Sequence, residues 1–360
     1  MADSLVHEVL TINSHKGPYV VHFVEDILST PRPLSEGDPH VIIDANVART
    51  YKADLKSVLS HPNTIIIEAT EDAKSLQQIM PIIELLIQNK IRKTHHLVAI
   101  GGGVIQDISC FIASILLRGI DWHFIPTTLL AQADSCIGSK SSINVESSKN
   151  IVGTFYPPRT VWIDSSFLAS LGDSELRSGI GEILKVHAID SPESFDNVAK
   201  DYESMMSDHT ILRKYIRDSL MIKKRFIEID EFDKGVRNIF NFGHSFGHAI
   251  ETATNFAVPH GIAVTMGMDI ACQISHSRGS LPTQHLNRMH GHLRKNYLPF
   301  ADVDIPDDVM FNALMRDKKN STTMLGLILP IGDRSIIERV DIPPDETFRK
   351  QLTTAVLSLA

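Results

Sequence analysis

Residues 241–260 contain His244, His248 and His260, three imidazoles close enough in sequence to share one ligand. His244 and His248 are four apart, so a helix would project them from one face. His260 follows Pro259, where a helix start is expected. Zn²⁺ takes nitrogen, sulfur and carboxylate ligands in tetrahedral order, and a catalytic site keeps three protein ligands and one open position. Two or three of these histidines could serve. The competing reading is that histidines four apart on an amphipathic helix lie at the surface or behind a ligand. A carboxylate in a comparable setting favours the metal. Residues 173–188 read as a helix beginning near Asp173 or Ser174, with Glu182 and Lys185 three apart on adjoining positions. A structural salt bridge is the alternative for that pair. Nothing near Cys110, Cys136 or Cys272 has metal-ligand spacing.

A second stretch points to phosphate chemistry. The apolar run Leu97-Val98-Ala99-Ile100 leads into Gly101-Gly102-Gly103-Val104-Ile105-Gln106-Asp107, followed by an apolar helix to Leu117. Glycines between a buried strand and a helix let the backbone approach a ligand, and the helix start offers free N–H groups to a pyrophosphate. The spacing is not G-x-G-x-x-G, so a plain tight turn stays open beside a dinucleotide site. Asp44, closing an earlier strand, could bind a ribose hydroxyl or simply belong to its turn. Lys140, Asn144, Lys149 and Asn150 fall in a Gly/Ser-rich segment, 138–150, that reads as loop or short ribbon. Those cations and amides suit a small anionic molecule; solvated surface lysine is the alternative.

The elements that must position these residues follow from periodicity. Residues 5–12 and 19–24 alternate around Lys16-Gly17-Pro18, predicting a hairpin. Apolar runs at 40–43, 64–67, 97–100, 121–125 and 160–163 read as strands. Helical patterns lie between them, one from Asp44 to about Leu59 and another over 72–89 with a stripe of Leu76, Ile79, Met80, Ile83 and Leu86. Strand–helix alternation implies a parallel sheet covered on both faces. After residue 163 the pattern is almost wholly helical, broken by a ribbon at 324–329 and 336–340, which places a domain boundary near Asp164.

At 360 residues, two domains are expected, 1–164 and 165–360. A hydrophobic fraction of 43% with 22% charged residues is ordinary for a globular protein. A net charge of −8 argues against non-specific nucleic-acid binding while leaving local basic pockets open. No apolar run approaches membrane-spanning length and the N-terminus lacks signal-peptide features, so a reducing cytoplasmic interior is expected.

The motifs Gly-Gly-Gly-Val-Ile-Gln-Asp, Pro-Thr-Thr-Leu-Leu-Ala-Gln-Ala-Asp-Ser, Lys-Asn-Ile-Val-Gly-Thr-Phe-Tyr-Pro-Pro, Ser-Gly-Ile-Gly-Glu-Ile-Leu-Lys and Asn-Phe-Gly-His-Ser-Phe-Gly-His-Ala-Ile-Glu occur in that order. Together they resemble the motif series of 3-dehydroquinate synthase and its sugar-phosphate cyclase relatives, over roughly residues 40–330. The resemblance implies a Rossmann-like α/β nucleotide-binding domain, a helical C-terminal domain, NAD, a catalytic Zn²⁺ (or Co²⁺ in its place) between the domains, and a homodimer. Carried over residue by residue, the metal ligands would be Glu182, His244 and His260, with His248 moved to the substrate side or behind the ligands. NAD would meet Asp44, Glu71 and Lys74 at its adenosine end, Gly102, Gly103, Val104 and Asp107 near its phosphates, and Thr127, Thr128 and Leu130 further along, with Lys149 beside the nicotinamide. Substrate would meet Asp134, Lys140, Asn150, Lys185, Lys223, Arg237, Asn241, His248 and Lys319, with Arg118 reaching across the dimer.

That family's substrate is an anionic keto-sugar phosphate. The resemblance implies transient oxidation by NAD⁺, phosphate elimination, return of the hydride and intramolecular aldol closure. Two departures bear on substrate identity and packing: Gln106 replaces a usual glycine, and Gly138-Ser139-Lys140-Ser141-Ser142 stands where quinate-forming enzymes usually have Gly-Gly-Lys-Thr-Ala. A relative acting on an amino-heptulosonate, sedoheptulose or hexose phosphate is therefore the alternative. A glycerol-dehydrogenase-like polyol oxidoreductase is a second one, disfavoured because a neutral polyol gains nothing from Lys140, Lys185, Lys223 and Arg237 together.

Overall fold

The computed structural model describes residues 6–29, 33–34, 37–146, 148–316, 320–321 and 323–360. The chain forms two compact units, Met1–Leu171 with Lys224–Phe232, and Gly172–Lys223 with Asp233–Ala360. The first break thus falls after Leu171, somewhat beyond Asp164, and one helical segment returns to the first unit.

The first unit contains β1 (Val6–Ile12), β2 (Tyr19–Val24), β3 (Pro39–Asp44), β4 (Thr64–Ile67), β5 (His96–Gly101), β6 (Asp121–Pro126), β7 (Ile143–Val145), β8 (Ser148–Val152) and β9 (Thr160–Asp164). Seven of these form one sheet in the order β1-β2-β9-β6-β5-β3-β4, while β7 and β8 pair as a separate ribbon. β1 runs antiparallel to β2, the expected hairpin; every other neighbouring pair in the sheet is parallel. All of Leu97–Gly101 is buried, which is why β5 reads as a continuous apolar run rather than an alternating one.

The helices of this unit are α1 (Ala45–Thr50), α2 (Lys56–Leu59), α3 (Leu76–Gln88) and α4 (Gly103–Ile115). The helical pattern expected up to Leu59 is thus two short helices. On α3 the buried residues are Ile79, Ile82 and Leu86, whereas Leu76 and Met80, placed in the stripe from sequence, are 37% and 53% exposed. Apolar residues occupy most of α3, so its periodicity admits more than one stripe, and packing selects the i, i+3, i+7 line. From β3 the chain crosses to β4 on one side and then to β5 on the other. The carboxyl ends of β3 and β5 therefore form the switch point at which open α/β sheets bind ligands.

The second unit holds α5 (Asp173–Asp190), α6 (Pro192–Lys200), α7 (Tyr202–Met205), α8 (His209–Ile229, whose last residues belong to the first unit), α9 (His244–Ala253), α10 (His260–Ser277), α11 (Thr283–Tyr297), α12 (Asp307–Met315) and α13 (Glu346–Leu357). The expected ribbon is present as β10 (Leu325–Ile331) paired antiparallel with β11 (Ile336–Ile342). α10 is the central element, with residues 261–272 all buried. A helix buried around its whole circumference needs neighbours on every side, and α5, α9, α11, α13 and β10 all pack on it.

Glycines set how closely those helices approach. A Cβ on Gly261 would lie 1.8 Å from the Ser178 carbonyl oxygen, and one on Gly181 would lie 2.2 Å from that of Gly261. The Gly261 N–H also donates to Ser178 Oγ at 2.9 Å. α5 and α10 therefore touch backbone to backbone. Gly261→Ala must force them apart, at about 1–3 kcal/mol or more for overpacking. Chemical denaturation should show that loss of stability, and an unchanged midpoint would refute the close contact.

α10 also carries a buried carboxylate, Asp269, that receives the Tyr297 hydroxyl at 2.5 Å and the His290 Nδ1 at 2.7 Å. The hydrogen bond to Asp269 raises the His290 imidazole above its ordinary 6.5, against a smaller opposing effect of burial. A folded-state pKa above the unfolded one adds stability that is full below about 6.5 and lost as pH rises through the folded-state value. Relative to His290→Asn, the wild-type melting temperature should fall on raising the pH through that window. Parallel melting curves for the two proteins would contradict the link.

Candidate functional site

The helix packing brings Glu182, His244, His248 and His260 together. Each sits beside a glycine of the close contacts: Gly181, Gly243, Gly247 and Gly261. One ring nitrogen from each histidine lies within 4.8 Å of the others. Glu182 Oε1 is 3.5 Å from His260 Nε2 and 3.8 Å from His244 Nε2. Its side chain is 1% exposed, and Lys185, 2% exposed, forms an ion pair with it.

Burial alone would raise the Glu182 carboxyl, but the Lys185 ammonium and the His260 imidazole outweigh it and hold it well below the usual carboxylate range. Burial likewise opposes charge on His260. Hydrogen bonding to Glu182 and Glu251 prevails there and pushes the imidazole up to about 10.

This arrangement fits a divalent cation. Glu182 Oε2 faces Lys185 while Oε1 faces the ring nitrogens of His244 and His260 at 3.8 and 3.5 Å, so a buried carboxylate oxygen and two imidazoles converge on one point. The donor set of carboxylate and imidazoles is one that Zn²⁺ accepts. Orientation is supplied from behind: His260 Nδ1 contacts Glu251 Oε2 at 3.3 Å, and His244 Nδ1 lies 3.4 Å from the Phe242 carbonyl oxygen. Both contacts leave Nε2 facing Glu182, as ligand histidines are usually held. Glu251 was missed at the sequence level, although it stands two helical turns beyond His244 on α9 and so shares its face. His248 is the exposed member of the group.

Of the residues tied to substrate from sequence, Lys223 and Arg237 are each 6% exposed within the same unit. Asn241 donates to the Asn238 carbonyl oxygen at 3.0 Å, closing the 3-10 turn Val236–Asn241. Lys319 lies outside the described residues.

In the first unit, Gly102 caps α4, which starts at Gly103. A Cβ on Gly101 would meet Ile105 at 2.5 Å and Asp44 at 3.3 Å, and one on Gly102 would meet Thr128 at 2.9 Å. At Gly103 nothing lies within 4 Å. The backbone of Gly103 thus borders open space at a helix N-terminus on the switch point, where a pyrophosphate fits. Val104 is half-buried beside it. The Thr127 N–H donates to the Gly101 carbonyl at 3.0 Å, Thr128 Oγ1 receives the Ala131 N–H at 3.2 Å, and Leu130 is half-buried. Asp44 caps α1 by accepting the Asn46 N–H at 2.8 Å.

Glu71, Lys74 and Asp107 form a polar cluster. Lys74 Nζ is 2.8 Å from Asp107, 3.6 Å from Glu71 and 3.2 Å from Asn150 Oδ1. Burial opposes the Lys74 charge, but Asp107 and Glu71 outweigh it and raise the ammonium. Asp107 also accepts the Ser142 N–H at 3.0 Å, and Glu71 the Asn144 amide at 2.9 Å. These residues anchor the β7–β8 ribbon. Asn150 on β8, a substrate residue by sequence, thus meets Lys74, an adenosine residue by sequence. Lys149 is on the exposed face of the same strand. Asp134 stands on the π-helical turn Ala131–Ser135, a local widening often found at functional sites. Arg118 is exposed in a left-handed stretch, with φ of 50° at Leu117, 63° at Arg118 and 103° at Gly119. A cavity of about 250 Å³ lined by Lys16, Tyr156 and Arg159 lies at the amino ends of β6 and β9, away from this switch point.

Residues 64–178 match the family model described as 3-dehydroquinate synthase N-terminal, and residues 179–320 the one described as 3-dehydroquinate synthase C-terminal. The chain belongs to the 3-dehydroquinate synthase family. A 3-dehydroquinate synthase of Alkaliphilus metalliredigens is 34% identical over 94% of this chain and 97% of its own length. One from Dictyoglomus thermophilum is 39% identical over 81% of this chain and 82% of its own. Among solved structures, the 2-epi-5-epi-valiolone synthase of Streptomyces hygroscopicus subsp. jinggangensis 5008, with NAD⁺ and Zn²⁺ bound, superposes with a TM-score of 0.82 at 28% identity, covering 95% of this chain and 96% of that one.

Within the 3-dehydroquinate synthase family, the departure at Gln106 has a packing role. Gln106 Nε2 donates to the Ser135 carbonyl at 2.5 Å and its Oε1 receives the Ser135 hydroxyl at 2.6 Å, which ties α4 to the π-helical turn. Among the described residues, no helix is long and apolar enough to cross a membrane.

The raised His260 makes metal loading a competition with a proton, so apparent affinity should rise between pH 6 and 9. Glu182→Gln should lose bound metal on dialysis, whereas His248→Asn should keep it. Glu251→Ala should weaken retention against a chelator by roughly 10–100-fold. Metal retained by Glu182→Gln and lost by His248→Asn would make the three-histidine set the ligand instead.

Proposed function

We propose that this chain is a 3-dehydroquinate synthase, a phosphate-eliminating lyase that converts a 3-deoxy-heptulosonate 7-phosphate to 3-dehydroquinate and phosphate. The observation that carries this reading is the buried charge of the second unit. Among the described residues of that unit, Lys185, Lys223 and Arg237 have under a tenth of their surface exposed, as do the carboxylates Glu182 and Asp269. Asp269 is already engaged by Tyr297 and His290. Basic side chains gathered at low exposure suit an anionic ligand through charge-assisted hydrogen bonds, and a substrate with both a carboxylate and a phosphate presents two anionic groups. A neutral polyol supplies none, which sets aside the glycerol-dehydrogenase-like alternative.

In this reading Glu182, His244 and His260 hold a divalent cation, and Asp44, the glycine turn 101–103, Thr127 and Thr128 bind NAD. When bound, the two groups supply Lewis-acid polarisation of hydroxyl oxygens and reversible hydride transfer. The chain's own residues do the rest. Lys185, Lys223 and Arg237 orient the anionic ends of the substrate and offset the charge that leaves with phosphate. In the first unit, Lys140, Asn150 and Asp134 are the residues that the family resemblance ties to substrate. Asn241 and Lys319 complete the polar set, and His248, exposed beside the ligands, is placed to exchange a proton. Arg118, exposed on a left-handed backbone, is read as reaching a second copy of the chain in a homodimer.

The segment Gly138-Ser139-Lys140-Ser141-Ser142 favours one alternative, a cyclase of the same family acting on another sugar phosphate such as sedoheptulose 7-phosphate. Kinetics of Arg237→Ala separate the two. If Arg237 binds a carboxylate, its loss should cost on the order of 2–5 kcal/mol in transition-state binding. The kcat/KM for a heptulosonate phosphate should then fall by roughly two or more orders of magnitude, with little change for a neutral heptulose phosphate. Equal losses on both, with a lower melting temperature, would give Arg237 a structural role. Wild-type turnover of the neutral sugar alone would overturn the quinate-forming reading.

A further inference from the structure

We infer that Glu231, acting through Ser139, is a positioning residue that fixes where Lys140 presents its ammonium group. The inference rests on the reading of Lys140 as a substrate residue.

The segment bearing Lys140 is fastened at every residue. The Gly138 N–H donates to the Tyr19 hydroxyl at 2.9 Å. The Ser139 carbonyl receives the Tyr156 N–H at 2.6 Å, and the Ser141 N–H donates to the Thr154 carbonyl at 2.9 Å. Between them, Lys140 forms an antiparallel bridge to Phe155. Beyond them, Asp107 takes the Ser142 N–H. Lys140 is therefore the middle rung of a short two-stranded ladder.

Glu231 and Phe232, successive residues just past α8, press on both sides of that ladder. On one side, the Ser139 hydroxyl donates to Glu231 Oε1 at 2.7 Å, and Ser139 is 1% exposed. On the other, the Phe232 ring meets Phe155 edge-on at 5.0 Å between centroids. The Glu231 carboxylate is itself immobilised by the turn between β1 and β2. It accepts the Ser14 hydroxyl at 2.6 Å, the His15 N–H at 2.7 Å, and lies 3.0 Å from His15 Nδ1. One turn earlier on α8, Glu228 accepts the Asn13 N–H and side-chain amide, both at 2.9 Å. Burial would raise Glu231, but the bonds from Ser14, His15 and Ser139 outweigh it and lower the carboxyl, so it stays an ionised acceptor.

A charge-assisted hydrogen bond to a fixed acceptor is short and directional. A glycine at 139 has no hydroxyl to make it, so this chain's departure there becomes a device for setting the neighbouring lysine. Misplacing a group that contacts substrate by about 1 Å can cost on the order of 100-fold, which gives a positional device a measurable effect.

The test measures phosphate release from a heptulosonate phosphate by the metal- and NAD-loaded enzyme, for Ser139→Ala, Lys140→Ala and the double variant, with Glu231→Gln as an independent probe. Ser139→Ala removes a single oxygen. It should lower kcat/KM by roughly 10–100-fold, mainly through KM, with NAD affinity unchanged. Because both changes act on one ammonium group, the double variant should be no worse than Lys140→Ala alone. Glu231→Gln, which keeps the shape and loses the charge, should move KM in the same direction as Ser139→Ala by a smaller factor. A fall in melting temperature with unchanged kinetic constants for Ser139→Ala would overturn the inference, as would additive losses in the double variant. If Lys140→Ala lowers kcat/KM and Ser139→Ala does not, the positioning link alone has failed. If Lys140→Ala is itself silent, the reading of Lys140 has failed and the inference falls with it.

Discussion

The second unit depends on backbone-to-backbone contact between α10 and its neighbours. Gly181 and Gly261 let α5 meet α10, while Gly243 and Gly267 let the start of α9 do the same; a Cβ on Gly267 would fall 2.1 Å from the Gly243 carbonyl. Each contact lies within a residue of Glu182, His244 or His260. Helices held at ordinary side-chain separation have axes about 8–10 Å apart, and these glycines let the backbones come closer at the positions next to Glu182, His244 and His260. The motif spellings Gly-Glu, Gly-His and His-Gly are therefore one steric rule written three times. The glycine gives the approach and its neighbour uses it.

Closeness creates an electrostatic problem that the same residues resolve. A fully buried carboxylate is costly, and Glu182 sits at the contact with almost no exposure. Lys185, one turn along α5, and the facing imidazoles supply the compensating charge. Metal-free, that compensation takes the form of a proton on His260. A divalent cation held by Glu182 and the facing imidazoles would supply the same compensation. Asn296 and Thr265 stiffen the surroundings, with the Asn296 amide donating to Thr265 Oγ1 at 2.9 Å and to the Arg177 carbonyl at 3.1 Å.

The sheet was legible in the sequence because its buried strands are largely apolar runs; β1–β2 was legible from its turn and β10–β11 as a ribbon breaking the helical pattern, while 138–150 read only as loop or short ribbon. The orientation of α3 was not, since Leu76, Met80, Leu85 and Ile87 carry as much apolar character as the residues that pack. Periodicity ranks faces only when the faces differ. At the metal site, the spacing of His244 and His248 spoke for a shared face, and both do point into one cluster. Glu182 was a candidate carboxylate from its own helix, but that it joins them needed the packing of a helix some sixty residues away, and only the motif resemblance named it a ligand beside His244 and His260. Glu251 and Glu231 were silent for the same reason. Each acts on a side chain that is near in space and reached through a fold, and a single carboxylate on a helix looks like solvated surface until its partner is known.

Glycine serves opposite ends in the two units, and the contrast shows what each site demands. At Gly261 and Gly181 the missing Cβ is replaced by protein, so the residue acts by letting the chain touch itself and the site is rigid by construction. At Gly103 the missing Cβ is replaced by nothing within 4 Å, so the protein leaves the space unfilled although Gly101 and Gly102, the two residues just before it, are crowded by Ile105 and Thr128. A turn that needed glycine for its own packing would show crowding at all three. Open space at Gly103 alone, on a helix N-terminus at the sheet's switch point, is what a backbone reserved for close approach of an anion looks like. The carboxylate–histidine cluster, built by closing space, and the glycine turn before α4, which leaves it, therefore follow from one residue type used in two steric environments.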